Sequence, residues 1–123
     1  DLDGFKPIND AHGHAAGDAC LRTVGAAFTA AVRKTDVVAR LGGDEFAVLM
    51  PGATESQLET CIGKLNEALD RSPAIWGDLR ITLRASFGAA SYAAGDRLAD
   101  ALARADTALY ADKNGKHGAR RRA

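Results

Sequence analysis

Residues 39–50 read ARLGGDEFAVLM, and this stretch predicts a β-hairpin with an acidic tip. Apolar residues lie on both sides of the pair Gly42-Gly43. Glycine adopts a positive φ without steric cost, so this arrangement is typical of a tight turn between two strands. Asp44 and Glu45 begin the returning strand, where neighbouring side chains point to opposite faces. Taken alone, two carboxylates beside a turn fit a solvated loop tip as well as a functional site.

The composition narrows the class of protein. A chain of 123 residues can bury a core, and we expect one domain over residues 1–123. The 16 basic and 16 acidic residues cancel, which argues against nucleic acid as a partner. Cys20 and Cys61 lack metal-binding spacing and are expected to be buried thiols of a reducing compartment. No apolar run approaches the roughly 18 residues of a membrane span, so we expect a cytoplasmic domain, with any membrane anchor elsewhere in the full-length protein.

Residues 1–18 are rich in polar residues and glycine. The chain starts abruptly, and we expect its first residues to be the end of a strand that is cut part-way through. Gly4, Pro7 and Gly13 break regular structure, which predicts a loop and a short helical turn after that strand end. The polar side chains could form a cradle for phosphate and a nucleobase, or they could belong to an ordinary surface loop.

Three amphipathic helices follow from apolar positions that recur every three or four residues. Their predicted core positions are Leu21, Val24, Phe28 and Val32; then Leu58, Ile62, Leu65 and Leu69; then Leu98, Leu102, Ala105 and Leu109. Thr54 and Gln57 have the spacing of a capping box at the start of the second helix. Gly115 is the expected C-cap of the third.

Between the second and third helices, residues 75–78 are predicted to be a connection, and residues 81–87 alternate as a strand with one buried face. Gly88 is expected to let another segment pass closely. The order of elements predicts an α/β (α+β) sandwich, in which helices flank a mixed central β-sheet.

Five spaced motifs together resemble one family. They are Gly42-Gly43-Asp44-Glu45-Phe46, the opening DLDGFKPIND at residues 1–10, the pairs Gly13-His14 and Gly17-Asp18, Ser86-Phe87-Gly88, and ADTALY at residues 105–110. In their order along the chain, these motifs are similar to those of the GGDEF domain family, the bacterial diguanylate cyclases. The chain departs from the family pattern by lacking the leading helix and most of the first strand. Its motif KNGKH at residues 113–117 is shorter than usual and carries Lys where Arg is usual.

The resemblance implies a fold like the palm of nucleotide cyclases and polymerases, with the glycine hairpin displayed above a central sheet. It implies an enzyme that condenses two GTP into cyclic di-GMP and releases two pyrophosphates. Each domain would bind one GTP, so a homodimer would be needed for catalysis. A sensor or regulatory domain would lie outside this chain. We expect little or no cyclase activity from the isolated 123 residues, because no strand precedes Asp1 to hold it in place.

The resemblance also implies the metal site. Asp1, the Leu2 carbonyl and Asp44 would hold Mg²⁺, with Glu45 near a second ion and Mn²⁺ as the other candidate metal. Hard oxygen ligands of this kind suit Mg²⁺. Asp44 and Glu45 would be catalytic together with Lys6, and Asp44 would act first as a metal ligand and second as a base.

The implied substrate site uses further residues of the same motifs. The amides of Gly4 and Phe5 would hold phosphates together with Lys6 and Lys113, while Asn9 and Asp18 would read guanine and His14 would line that pocket. Gly42, Gly43 and Lys116 complete the implied substrate site. Lys113 and Lys116 also fit the ordinary preference for positive charge at a helix C-terminus.

Arg33 and Asp36 match the RxxD inhibitory site of the family, which implies feedback by bound cyclic di-GMP. Charges at the end of a helix are the alternative interpretation of this pair.

Two other functions stay open at this point. The first is a catalytically silent receptor that binds GTP or cyclic di-GMP; the intact Asp44-Glu45 tip argues for the enzyme instead. The second is a cyclase that makes a mixed adenine–guanine dinucleotide. Asp18 argues against it, because adenine offers a carboxylate no paired donors.

Overall fold

The computed structural model describes the backbone of residues 1–122 and the side chains of residues 1–115. The chain forms α1 (Phe5–His12), α2 (His14–Ala31), β1 (Val37–Gly42), β2 (Glu45–Leu49), α3 (Glu55–Arg71), β3 (Ala74–Trp76), β4 (Leu79–Ile81) and α4 (Leu98–Arg122). These helices and strands confirm the predicted α+β class. Among residues 1–122, no helix is long and apolar enough to cross a membrane.

The strand pairing differs in detail from the predicted mixed sheet. Strand β1 pairs with β2 and β3 with β4, both antiparallel, and Leu2 forms a single antiparallel bridge with Ala85. Strands joined by tight turns must run antiparallel, and both pairs are joined in this way.

The hairpin β1–β2 forms where the sequence predicts it. Arg40 pairs with Phe46 and Gly42 with Glu45, and the register shifts by one residue between these pairs. Gly43 lies in the left-handed region at φ 49°. Arg40 Nε donates a hydrogen bond of 2.9 Å to the carbonyl of Gly43, which ties the turn to its strand. The predicted acidic tip therefore stands on a bulged two-stranded ribbon.

The core lies where helices α2 and α3 pack against the residues around the Leu2–Ala85 bridge. Its buried members are Leu2, Cys20, Leu21, Val24, Phe28, Cys61, Leu65, Leu69, Ala74, Leu83 and Ala85. Phe28 meets the ring of Phe46 edge to face, with the centroids 5.9 Å apart. The predicted burial of both cysteine thiols is confirmed. Helix α3 begins with the predicted capping box: Gln57 N donates a hydrogen bond to Thr54 Oγ1, and Thr54 N donates one to Gln57 Oε1.

Helix α1 corrects the prediction of a loop after Gly4. Pro7 lies in the first turn of this helix, where its missing N–H has no intrahelical partner to lose. Phe5 and Ile8 are partly buried against the core, which gives the helix an apolar face. Gly13, with φ 90°, separates α1 from α2.

The connection predicted at residues 75–78 is instead the tip of a second hairpin. Strands β3 and β4 pair on either side of Gly77, which takes φ 57°. Beyond β4, the predicted alternation holds for Leu83 and Ala85, which are buried. It fails at Ser86, which is also fully buried.

Helix α4 crosses the chain at Gly88, as the sequence predicted for a close approach. A Cβ added to Gly88 would lie 2.1 Å from the carbonyl oxygen of Ala105. Two details of the helix were predicted wrongly. Leu98 and Leu102 are exposed rather than buried, because Ala101 takes the buried position between them. Gly115 is not a C-cap, since α4 continues to Arg122.

Candidate functional site: the hairpin tip and the first residues of the chain

The hairpin tip and the first residues of the chain are tied together by backbone hydrogen bonds. Leu2 N donates to the carbonyl of Asp44 at 3.1 Å, and Leu2 also bridges Ala85. On the other side, Asp3 N donates to the carbonyl of Arg84 at 2.8 Å, and the carbonyl of Asp1 accepts from Ser86 N at 2.9 Å. The acidic tip is therefore held against Asp1 and Leu2 and is not a free loop.

The carboxylate of Asp1 is mostly sheltered from solvent, and its two oxygens differ. Oδ2 pairs with the ammonium of Lys113. Oδ1 is buried and has no hydrogen-bond partner in the part of the chain that the structure describes. A buried carboxylate oxygen without a partner is costly, so this atom has spare capacity for a cation or a donor.

Several charges lie within electrostatic reach of one another around Asp1. The charges of Asp44, Asp3, Glu45 and Lys113 all lie close enough to act electrostatically at the backbone nitrogen of Asp1. Asp44 is half-buried and Glu45 is exposed. The predicted metal residues therefore lie in one region, and the ammonium of Lys113 is paired to Asp1 there.

The donor set at this place suits a hard cation. It consists of carboxylates and backbone carbonyls, and Asp1 Oδ1 is an oxygen that still lacks a partner. Within the described residues, no three His, Cys, Asp or Glu side chains come together as a complete metal site. Mg²⁺ does not need such a site, because one or two carboxylates plus substrate phosphates usually hold it.

Helix α4 brings Lys113 to Asp1 through two contacts. The first is the close approach of α4 to Gly88, and in the second the carboxylate of Asp112 accepts a hydrogen bond of 3.0 Å from Phe87 N. Sequence reasoning missed Asp112, although it directly precedes Lys113. Lys116 lies outside the residues whose side chains are described.

Ser86 is a second residue that sequence reasoning missed. Its Oγ donates a hydrogen bond of 2.8 Å to Oδ1 of Asp3, and its backbone bonds Asp1. Its place in the motif Ser86-Phe87-Gly88 was the signal that could have identified it. The residue connects the first residues of the chain to the segment that leads to Gly88.

The predicted base-reading residues come from two neighbouring helices. Asn9 lies on α1, while His14 and Asp18 lie on the first turns of α2. His14 and Asp18 are exposed. The side-chain oxygen of Asn9 is buried and has no hydrogen-bond partner among the described residues.

The start of helix α1 carries the predicted phosphate contacts. Gly4 is its N-cap at φ 70°, and no side chain caps the helix there. Lys6 is exposed in the first turn. The free N–H groups and the helix dipole make such an end suitable for an anion.

Arg33 and Asp36 form a tight pair between α2 and β1. Nε and one terminal nitrogen of Arg33 bond the carboxylate at 2.9–3.2 Å. The guanidinium also donates to the carbonyl of Pro51 at 3.2 Å, just beyond the hairpin. The hydrogen bond from Arg33 lowers the pKa of Asp36. The pair therefore joins the end of α2 to the exit of the hairpin.

A cleft of about 740 Å³ opens beside β2, α3 and α4, and sequence reasoning did not anticipate it. Apolar side chains such as Val48, Ile62 and Phe87 dominate its lining, and Asp1 and Glu45 also contribute to it. Leu98 and Leu102 face this cleft, which accounts for their exposure.

The family described as "Diguanylate cyclase, GGDEF domain" matches residues 1–119. This chain belongs to the GGDEF family. The match includes the hairpin tip, Asp1 and most of helix α4.

Two curated relatives from Escherichia coli strain K12 illustrate the range of the family. The chain is 38% identical over 119 residues to "Probable diguanylate cyclase DgcE", covering 96% of this chain and 11% of that protein. It is 39% identical over 119 residues to "Cyclic di-GMP phosphodiesterase PdeR", covering 96% of this chain and 18% of that protein. The chain thus spans less than a fifth of either relative.

The diguanylate cyclase SiaD of Pseudomonas aeruginosa, solved in complex with its activator SiaC, has a similar fold. The TM-score is 0.88 at 28% identity, covering 94% of this chain and 44% of SiaD. The likeness shows that the chain shares the α+β fold of this diguanylate cyclase. Relatives of this GGDEF domain include diguanylate cyclases, and at least one of them acts with a separate activator protein.

Proposed function

We propose that this GGDEF domain is the catalytic domain of a diguanylate cyclase, which condenses two GTP into cyclic di-GMP. The observation that carries the proposal is the junction of the hairpin tip with the first residues. Asp44 is bonded to Leu2 through the backbone, and Asp1 keeps a buried, unpaired oxygen in the same region. A silent domain has no need to keep a costly unpaired carboxylate oxygen beside an intact acidic tip.

In each of two chemical steps, the 3′-hydroxyl of one GTP attacks the α-phosphorus of the other. A new phosphodiester bond forms, the bond from the α-phosphorus to the oxygen shared with the β-phosphorus breaks, and pyrophosphate leaves. The hydroxyl proton would pass to Asp44, in its second role as base, or to water. Mg²⁺, or Mn²⁺, would be held by Asp1, the Leu2 carbonyl and Asp44, with Glu45 near a second ion. When bound, the metal polarises the α-phosphate and lowers the pKa of the attacking hydroxyl.

The phosphates would be held at the start of helix α1. Gly4, Phe5 and Lys6 begin this helix, and no side chain caps it there, so the N–H groups of Gly4 and Phe5 and the ammonium of Lys6 would be available to the phosphates. Lys113 would join them. In this structure its ammonium neutralises Asp1, and we infer that the same ammonium would pair with substrate phosphates, which are acceptors of the same kind as the carboxylate.

The base would be read by Asn9 and Asp18, with His14 lining the same pocket. The carboxylate of Asp18 can accept from N1–H and from the 2-amino group of guanine together. Adenine offers no such pair, so a bound adenine would leave the carboxylate unsatisfied. This argument favours GTP over ATP and disfavours a mixed dinucleotide product.

Catalysis would require two domains related by a two-fold axis, because each holds one GTP and the two must attack one another. GTP and cyclic di-GMP are cytoplasmic nucleotides, so the domain would work in the cytoplasm.

Product would be sensed at Arg33 and Asp36. Arg can bind O6 and N7 of guanine in a bidentate manner, and the carboxylate can accept from its amino edge. The pair also reaches Pro51 at the exit of the hairpin, so product binding would be felt by the segment that carries the acidic tip.

A catalytically silent receptor that binds GTP or cyclic di-GMP is the second candidate function. It is favoured by the similarity to PdeR, whose name describes a phosphodiesterase. Incubation of the complete protein with GTP and Mg²⁺, followed by chromatographic separation of products, distinguishes the two candidates. The enzyme yields cyclic di-GMP, and Asp44→Asn and a chelator each remove it. Unchanged GTP with preserved nucleotide binding would favour the receptor and contradict our proposal.

A further inference from the structure

Helices α1 and α2 meet at Gly17, a buried residue in the second turn of α2. A Cβ added there would lie 1.8 Å from Oδ1 and 2.9 Å from Cγ of Asn9, and 3.3 Å from Cζ of Phe5. Real Cβ atoms essentially never come within 3.0 Å of a heavy atom to which they are not linked through the local backbone. The φ of Gly17 is not in the left-handed region, so it is the space beside it, and not its backbone, that requires glycine.

The side-chain amide of Asn9 therefore occupies the volume that any other residue at position 17 would fill. No hydrogen bond from the described residues holds Asn9 Oδ1, and a side chain at position 17 would push this amide out of the place that it occupies. Asp18 follows Gly17 directly. The absence of a side chain at position 17 thus leaves the room in which Asn9, one of the two residues proposed to read the base, places its amide.

We propose that Gly17 is a positioning residue for base recognition, which acts through Asn9 and does not itself touch the nucleotide. The inference rests on the proposed function, because the place of Asn9 affects selectivity only if Asn9 reads guanine. A purely structural glycine at a helix crossing would change stability when replaced, and it would leave the choice between bases unchanged.

Four variants of the complete protein separate these possibilities: Asn9→Ala, Gly17→Ala, the double variant, and Gly25→Ala as the matched control. Gly25 lies on the same helix, and a Cβ there would meet only Cε1 of Phe46, at 4.0 Å. The measurements are KM and kcat for GTP, and the dissociation constants of GTP and inosine triphosphate in competition with a fluorescent guanine nucleotide. The 2-amino group of guanine carries two hydrogens, so it would donate one to Asp18 and the other to Asn9 Oδ1, which has no partner among the described residues. Inosine triphosphate lacks this group, so the ratio of the two constants reports its recognition by Asn9 together with Asp18.

Removal of one hydrogen bond to the base should reduce the preference for GTP about three- to tenfold in Asn9→Ala. Gly17→Ala should show a loss of similar size, mainly in KM, because it displaces the same amide. In the Asn9→Ala background, Gly17→Ala should change the preference less than about twofold, since both overlapping atoms of Asn9 are gone. Gly25→Ala should keep the wild-type preference.

If Asn9→Ala keeps the wild-type preference, the proposed base recognition fails, and the role of Gly17 fails with it. Two outcomes would overturn only the inference about Gly17. In the first, Asn9→Ala loses the preference for GTP over inosine triphosphate and Gly17→Ala keeps it. In the second, both single variants lose preference and their losses add in the double variant. Gly17→Ala could prevent folding. In that case the double variant should fold and behave as Asn9→Ala does, and a double variant that also fails to fold would contradict the inference.

Discussion

The contact between Gly88 and helix α4 allows the most quantitative prediction, for the variant Gly88→Ala. The added methyl group would lie 2.1 Å from Ala105 O, 2.3 Å from Leu109 N and 2.8 Å from Leu109 Cα. All three are backbone atoms, so no side-chain rotation relieves the overlap. To restore even the 3.0 Å limit, helix α4 must move away from the segment at Gly88.

The cost can be worked from the contacts that this movement disturbs. Overpacking of this kind costs about 1–3 kcal/mol. The hydrogen bond from Phe87 N to Asp112 lies beside the displaced turn, and its loss adds roughly 1 kcal/mol. The free energy of unfolding should therefore fall by about 2–4 kcal/mol, or roughly 8–16 °C in the thermal midpoint. Since Lys113 follows Asp112, its contact with Asp1 should also be weakened.

The assay is urea denaturation of wild type, Gly88→Ala and the control Gly63→Ala. A Cβ at Gly63, in the middle of α3, meets nothing within 4 Å. That control should therefore gain about 0.5–1 kcal/mol from the better helix propensity of alanine. An unchanged denaturation midpoint for Gly88→Ala would refute the reasoning, because it would show that α4 does not pack against Gly88 at this distance.

Three further predictions concern the capping box and the Arg33–Asp36 pair. Thr54→Ala removes the acceptor for Gln57 N and should cost about 1 kcal/mol in urea denaturation; a loss below roughly 0.3 kcal/mol would mean that the box is not formed in solution. Arg33→Ala should leave initial GTP turnover intact and weaken product inhibition about ten- to a hundredfold, measured from progress curves with added cyclic di-GMP. If the curves of the variant bend at the same product concentration as those of wild type, Arg33 and Asp36 are only charges at the end of a helix. Because Arg33 lowers the pKa of Asp36, the stabilisation from this carboxylate is complete above its unfolded pKa of about 4 and is lost as the pH falls through the lower folded value. The stability difference between wild type and Asp36→Asn, measured by denaturation across that range, should therefore shrink toward low pH, and a constant difference would contradict the pairing.

The sequence predicted best those features that depend on local backbone chemistry or on simple periodicity. The pair Gly42-Gly43 favours a tight turn through its own backbone freedom, and the turn forms there. Thr54 and Gln57 form a capping box through hydrogen bonds within four residues, so this feature also depends on local sequence alone. The apolar stripes of α2 and α3 likewise identify most of the core, because burial follows the helical period.

The errors came where tertiary packing decides the outcome. Pro7 suggests a loop by propensity, yet it occupies a first turn that the packing of Phe5 and Ile8 stabilises. Ser86 lies on the polar side of an alternating pattern, yet it is fully buried, and its hydroxyl donates a hydrogen bond to the carboxylate of Asp3. Leu98 belongs to an apolar stripe, but it faces an open cleft.

The candidate site was predictable as a set of motifs and not as a geometry. The motifs led us to propose Asp1, Asp44 and Asn9 for the site. No pattern in the sequence could show that Lys113 pairs with Asp1 or that the carbonyl of Asp44 accepts from Leu2, because these contacts join residues far apart in the chain. Such contacts depend on how α4 and the hairpin pack against the first residues.

The central claim is that the region around Asp1 and Asp44 makes cyclic di-GMP from GTP. The most direct measurement is the ratio of pyrophosphate released to cyclic di-GMP formed by the complete protein with GTP and Mg²⁺, with Asp44→Asn as the control. The account predicts two pyrophosphates for each cyclic di-GMP and no product from the control. Wild-type protein that binds GTP but releases no pyrophosphate, or an Asp44→Asn variant that turns over GTP at the wild-type rate, would contradict it.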